Sequence, residues 1–285
     1  MSAAIFEVYV PETGELVSDA AAEQELLASI THLGIAAHPD DLEIMAIDGI
    51  LKGYAEGGSV FGGVVLTDGR GAPRAGKFAA WSDDQLAALR KEEQKTAARI
   101  GRYGALVFMN YASQDIRQRN AVVQSLASLL IMARPCWVYT HSLLDSHPTH
   151  TAAAWRVIQA LRGLPAAMLP ERVFGCEVWR GLEWLPERFR IAFDCSARLE
   201  LQRELLTVFG TQVESGKRYD HAIPGRRAAN ATMDEPNAVD NARAVAYAMD
   251  LNPLARDKTL SPRVYLREIL TEFEQTALSP LPDDA

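Results

Sequence analysis

Between Leu33 and Val178 the chain alternates short apolar runs with longer amphipathic stretches, and this alternation restricts its possible folds more than any other feature. The runs are 33–37, 60–67, 105–109, 136–140 and 173–178, each of a length suited to a strand and largely apolar, as strands covered on both faces are. Between them, 41–55 places Leu42, Met45, Ile47, Ile50, Leu51 and Tyr54 near helical spacing. The stretch 82–100 opens with Ser82 and Gln85 in the arrangement of a capping box. Two further helices are predicted over 116–133, stopped by Pro135, and 150–161, stopped by Gly163 and Pro165. Strand and helix in regular alternation imply βαβ units with right-handed crossovers, hence an α/β fold with a mostly parallel sheet.

Outside this block, residues 1–30 read as a short strand, a turn at Pro11–Gly14 and a helix. Helices are predicted over 199–209 and 238–249; 210–230 is Gly-rich and basic, and 280–285 reads as a frayed tail. No Pro-rich or Gly/Ser-rich linker divides the sequence. The expectation is one domain over 1–285, with a short N-terminal extension (1–30) and an irregular C-terminal part (about 210–285).

A formal charge of -8 and a pI near 5.3 provide no footprint for a phosphate backbone, so nucleic acid is not an expected partner. The first basic residue is Lys52, so a secretory or transit leader is not expected. The apolar stretch 125–132 falls far short of the roughly 20 residues of a membrane span, and no membrane association is expected. Cys136, Cys176 and Cys195 are odd in number and form no C-x-x-C pair, which fits buried reduced thiols in a cytoplasmic protein. A homo-oligomer is compatible with all of this.

The residues with chemical potential cluster where two of the strands end. His38-Pro39-Asp40-Asp41 follows the first run, and His147-Pro148-Thr149-His150 lies shortly after the fourth. In an open parallel sheet, ligands bind beyond the carboxyl ends of the strands. His38 and Asp41 stand three residues apart across a turn stiffened by Pro39, and His150 can supply a third ligand. Two imidazoles and one carboxylate form a typical catalytic zinc set with one open position, whereas a structural site is usually closed by four residues rich in Cys. Asp40 is then the candidate base for zinc-bound water, and His147, as imidazolium, the candidate for stabilising an oxyanion or protonating a leaving amine. Taken singly, each motif reads as readily as a helix cap or polar surface. Together they gather three of the six histidines and two adjacent Asp at two strand ends, which favours a functional site.

At these residues the sequence resembles the PIG-L/LmbE-like family of zinc-dependent N-acetylglucosaminyl deacetylases, whose signatures are A-H-P-D-D-x-E or A-H-P-D-D-E, and H-P-D-H or H-x-T-H. The motifs stand here as Ala37-His38-Pro39-Asp40-Asp41-Leu42-Glu43 and His147-Pro148-Thr149-His150. The resemblance extends through Leu66-Thr67-Asp68-Gly69, Arg90 with Glu93, Val138-Tyr139-Thr140-His141 and Cys176-Glu177-Val178-Trp179, over about 33–255. It implies a Rossmann-like three-layer sandwich with helices on both faces of the sheet. It also implies His38, Asp41 and His150 as ligands of one zinc ion, Asp40 as general base, and His147 as the residue that stabilises the intermediate. The substrates it implies are N-acetylglucosaminyl groups or related N-acylated amines on sugars. One departure is Thr149, where many members have an Asp able to pair with the first histidine; Asp145 is the candidate replacement for that charge.

Other residues are weaker candidates. Asp68 and Arg70 follow the second strand and can bind sugar hydroxyls; Glu177 and Trp179 end the fifth, with Trp179 a platform for a sugar ring. Glu43, one turn into a helix, can support a ligand imidazole. Lys217, Arg218, Arg226 and Arg227 can meet an anionic group or a neighbouring subunit, and His141 shares a loop with His147. The ligands also suit iron, cobalt or manganese. Rival readings are hydrolysis of an ester or another amide, such as a thiol conjugate, and a non-catalytic binding protein. A dinucleotide site is disfavoured, since no G-x-G-x-x-G follows the first strand.

Overall fold

The structure, a computed structural model, describes residues 6–234 and 236–282. Its elements in chain order begin with β1 (Glu7–Val10), β2 (Glu15–Leu16), α1 (Ala20–Ala28), β3 (His32–Ala36), α2 (Asp41–Met45), α3 (Ile47–Tyr54) and β4 (Phe61–Thr67). They continue with α4 (Asp83–Ile100), β5 (Ala105–Tyr111), α5 (Ser113–Gln118), α6 (Ala121–Ala133), β6 (Trp137–His141), α7 (Pro148–Gly163), β7 (Arg172–Cys176) and β8 (Arg190–Asp194). The last are α8 (Leu199–Thr207), α9 (Gly210–Val213), α10 (Tyr219–Thr232), β9 (Val245–Asp250), α11 (Asn252–Arg256) and α12 (Pro262–Leu278).

One sheet runs in the order β2-β1-β5-β4-β3-β6-β7-β9-β8. Its centre, β5-β4-β3-β6-β7, is parallel throughout, and the strands added at each side are antiparallel. Alternate side chains of each central strand enter different cores. Leu33 and Ile35 pack with Leu126, Leu129, Val157 and Leu161 on one face, while Ala36 packs with Leu42, Ile47, Ile50, Leu205 and Ile223 on the other. The fold is therefore an α/β sandwich of three layers with a parallel core, as the alternating pattern predicts.

The chain leaves β3 and builds β4 and β5 on one side, then crosses to build β6 and β7 on the other. The crevice between the ends of β3 and β6 is thus the point where strand order reverses, the favoured ligand position in such sheets. The helix entering that crevice sits close to the sheet. A Cβ at Gly34 would come within 2.8 Å of Leu42, and one at Gly63 within 2.7 Å of the same side chain, so α2 can settle onto β3 and β4 only because both positions lack one.

The capping box at Ser82 and Gln85 forms as the sequence predicts. Several details differ. The 41–55 stretch divides into α2 and α3, and 116–133 into α5 and α6. The helix predicted over 238–249 is instead β9, an inner strand pairing with β7 and β8. The C-terminal part from 210 is regular rather than irregular, holding α9, α10, β9, α11 and α12. Cys136 is exposed; only Cys176 and Cys195 are buried, and all three are free thiols. No helix among the described residues is long and apolar enough to cross a membrane.

Arg227, expected to meet an anionic group or a neighbouring subunit, is buried in α10. Its guanidinium donates to the carbonyls of Glu43 and Ile44, each at 3.0 Å, and to Gln202 Oε1 at 2.8 Å. It therefore ties the end of the short α2 to α8 and α10. Replacing it by Ala would leave three buried acceptors without donors, and we expect a loss of about 2–4 kcal/mol, read from urea unfolding against the wild-type chain.

Candidate metal centre

The loop after β3 is folded tightly on itself. The His38 N–H donates to Asp41 Oδ2 at 2.8 Å, and Asp40 adopts the left-handed conformation at φ 89° that few non-glycine residues occupy. Two long-range contacts hold it there. The Asp40 N–H donates to Gln94 Oε1 at 3.0 Å, and Arg90 Nη2 donates to the Pro39 carbonyl at 2.6 Å. Arg90 Nη1 also donates to the Gly69 carbonyl at 3.0 Å, which joins the β3 loop to the loop after β4. Backbone strain maintained by several independent bonds is characteristic of functional loops.

On the other side of the crevice, His147 caps α7, with Pro148 in its first turn. His150 lies in that first turn, and its ring points back toward β3. His38 Nδ1, Asp41 Oδ2 and His150 Nε2 form a triangle with sides of 3.1, 3.2 and 3.3 Å. A tetrahedral ion with bonds of about 2.0–2.1 Å requires neighbouring donors to be roughly 3.3–3.4 Å apart. These separations match the spacing of three ligands around one tetrahedral ion, so the residues present suit a small divalent ion.

The charges are consistent with this. Burial works to raise the Asp41 pKa, but His150 and His141 more than reverse it and hold the carboxyl well below its usual range. Burial opposes protonation of His150, yet Asp41 and Asp145 outweigh it and lift the ring to about 10. This pair of carboxylates thus draws positive charge to the centre. Asp40 behaves oppositely: burial raises it well above the carboxylate range, with Arg90 offsetting part of that effect.

Around the triangle the surrounding contacts are specific. Asp145 Oδ2 lies at an ion-pair distance of 3.4 Å from His150 Nδ1 and accepts the Trp179 N–H at 3.1 Å, while Oδ1 accepts the His147 N–H at 2.7 Å. Asp145 therefore supports His150 and the loop backbone; its bonds do not replace the charge expected beside the His147 ring. The His147 Nδ1 accepts the Thr149 N–H at 3.2 Å, and burial followed by the neighbouring His150 and His38 lowers its pKa to about 4. The ring is consequently neutral with its proton on Nε2, in place of the imidazolium expected from sequence.

Glu43 does not bond a ligand imidazole. Its Oε1 accepts from Tyr103 Oη at 2.6 Å and from Gln94 Nε2 at 2.8 Å, and burial pushes its pKa to about 7. Its role is to fix Gln94, which in turn holds Asp40. Glu177 is buried, and its carboxylate is taken up by the N–H groups of Leu182 and Tyr247 and the amide of Asn230, so it is not available to a ligand. Asp68 and Arg70 pair with each other at 2.6 Å and line a separate depression, outside the cavity at the triangle. Trp179 does line that cavity, 40% exposed, with Tyr219 edge-on at 6.1 Å and Lys217 Nζ 4.7 Å above its ring.

His141 is only a weaker candidate by sequence, and Gln94 and Tyr103 are not candidates at all. His141 ends β6; its Nε2 accepts the Ala37 N–H at 2.8 Å and lies 3.4 Å from Asp41 Oδ2. A signal for it existed: it directly follows Thr140, which pairs with Ile35 of β3. Gln94 and Tyr103 gave no such signal, because only the tertiary packing of α4 brings them to the loop.

Residues 33–161, which include every member of the triangle, match the family model described as PIG-L: GlcNAc-PI de-N-acetylase. Over this segment the sequence is similar to the PIG-L family. Solved structures match most of the chain in fold. N,N'-diacetylchitobiose deacetylase from Pyrococcus horikoshii shares 17% identity, covering 88% of this chain and 98% of that one, with a TM-score of 0.63. The 4-carboxy-2-hydroxymuconate hydratase of Pseudomonas putida shares 18%, covering 78% and 95%, with a TM-score of 0.60. A conserved protein of Thermus thermophilus shares 22%, covering 76% and 93%, with a TM-score of 0.58. At these identities the likeness establishes the fold, and a deacetylase and a hydratase both stand among the neighbours. No curated protein matches the chain.

Proposed function

We propose that this chain is a metal-dependent N-deacetylase that hydrolyses the acetamide of an N-acetylglucosaminyl or related N-acylated amino-sugar group to acetate and a free amine. The supporting observation is the donor triangle of His38, Asp41 and His150 beside a cavity of about 570 Å³ that is also lined by Asp40, His147 and Trp179. Zinc is the ion assigned to these donors; bound there, it supplies a Lewis acid for the acetamide carbonyl and lowers the pKa of water to about 7.

The chain's own groups supply the remaining functions. Asp40 takes the proton of the attacking water and returns it to the departing nitrogen as the C–N bond breaks, with Arg90 Nη2 at 3.3 Å from Oδ1 keeping the carboxylate oriented. The neutral His147 ring donates from Nε2 to the carbonyl oxygen as negative charge develops on it, which requires no imidazolium. The Trp179 face provides an apolar wall for a sugar ring. The match of residues 33–161 to a de-N-acetylase family supports this reading over a hydratase.

The test is to incubate the zinc-loaded chain with a panel of N-acetylglucosamine conjugates and measure acetate and free amine in equal amounts. Zinc binding with no acetate from any N-acetyl amine would refute the proposal. Asp145→Asn should weaken zinc binding by about 10–100-fold in chelator competition, because Asp145 steadies His150. Unchanged affinity would separate Asp145 from the centre.

A further inference from the structure

The C-terminal helix α12 has one side against the protein and one side free. Tyr265 and Ile269 are buried, and Arg188 of the body bonds Glu268 and Glu272. The opposite side carries exposed apolar residues: Leu270 is 49% exposed and Leu278 55%. Arg263, Arg267, Leu270, Glu274 and Ala277 recur at helical spacing and form a continuous stripe. Arg263, Arg267 and Glu274 make no ion pair among the described residues.

The charges in this stripe are placed against the helix dipole. The first turn contains no acidic residue and the last no basic one, while Arg263 and Arg267 occupy the N-terminal half and Glu274 the C-terminal half. Within one helix this order is unfavourable, since the N-terminus is the positive end. An antiparallel copy reverses that disadvantage.

We infer that the outer stripe of α12 is a self-complementary surface through which two copies of the chain pair antiparallel. With a two-fold axis beside Leu270 and Thr271, Arg267 stands opposite the partner's Glu274 and Glu274 opposite the partner's Arg267. Leu270 meets the partner's Leu270 at the axis. Arg263 then reaches the last carbonyls of the partner helix, where positive charge is favoured. One two-fold operation thus satisfies all of these groups, as an isologous interface requires. No residue of α12 lines the cavity at the metal centre, so the pairing is independent of the proposed reaction.

Sedimentation equilibrium of the full chain over a wide concentration range tests this. The wild-type chain is expected to dimerise and Leu270→Glu to remain monomeric, with unchanged circular dichroism because Leu270 is exposed. Arg267→Glu and Glu274→Arg should each weaken dimerisation by about tenfold or more through like-charge contact, and the double variant should restore it. A wild-type monomer at every concentration, or a dimer indifferent to Leu270→Glu, would overturn the proposal. Failure of the double variant to recover would overturn the antiparallel register.

Discussion

Asn in place of Asp40 should lower turnover by about 10²–10⁴-fold, the usual contribution of a positioned base, while leaving the zinc content unchanged. The substitution is nearly isosteric. Asn tolerates the left-handed backbone at this position as well as Asp does, and the backbone N–H to Gln94 is retained. Arg90 keeps its bonds to the Pro39 and Gly69 carbonyls, so the loop should stay closed. What disappears is a group able to accept a proton beside the triangle. Near-normal acetate release in this variant would remove Asp40 from the reaction, and loss of zinc would place it among the ligands.

Ala in place of His150 should have a different signature: zinc per chain falls to near none, and activity disappears with it. His150 contributes one corner of the triangle and also sits between Asp41 and Asp145. Without the ring, Asp41 loses the main positive partner that holds its carboxyl low, and a buried carboxylate is left with poorer compensation. The loss of affinity should exceed the 10–100-fold expected for Asp145→Asn, which leaves all three donors in place. Metal analysis after gel filtration, with circular dichroism as the folding control, separates the two. Full zinc occupancy in His150→Ala would show that the ion binds elsewhere.

The sequence was most legible where residue type and chain position agree. Leu33–Ala37 reads as a strand because it is apolar and followed by Pro39, and His38, Asp41 and His150 can be selected because few residue types ligate metals. Legibility failed where tertiary context decides. The stretch 245–250, rich in Ala and Met, favours a helix by propensity, yet pairing on both sides makes it β9. Helix α10 was obscured by Pro224 and Gly225, which lie inside it. The direction of a side chain at a strand end was also unreadable: Glu177 and Trp179 are two residues apart, yet one is bound within the protein and the other lines the cavity. His147 lines the cavity beside the triangle, but its protonation depends on a backbone N–H and two neighbouring rings that only the fold assembles.

The central claim is that segments after β3 and β6 grip one ion together, and an anomalous difference map at the zinc edge from crystals of the zinc-loaded chain tests it most directly. The account predicts a single strong peak about 2.0–2.2 Å from His38 Nδ1, Asp41 Oδ2 and His150 Nε2. A peak held by His38, His147 and His150 with Asp41 outside bonding distance, or no peak in this crevice, would contradict it.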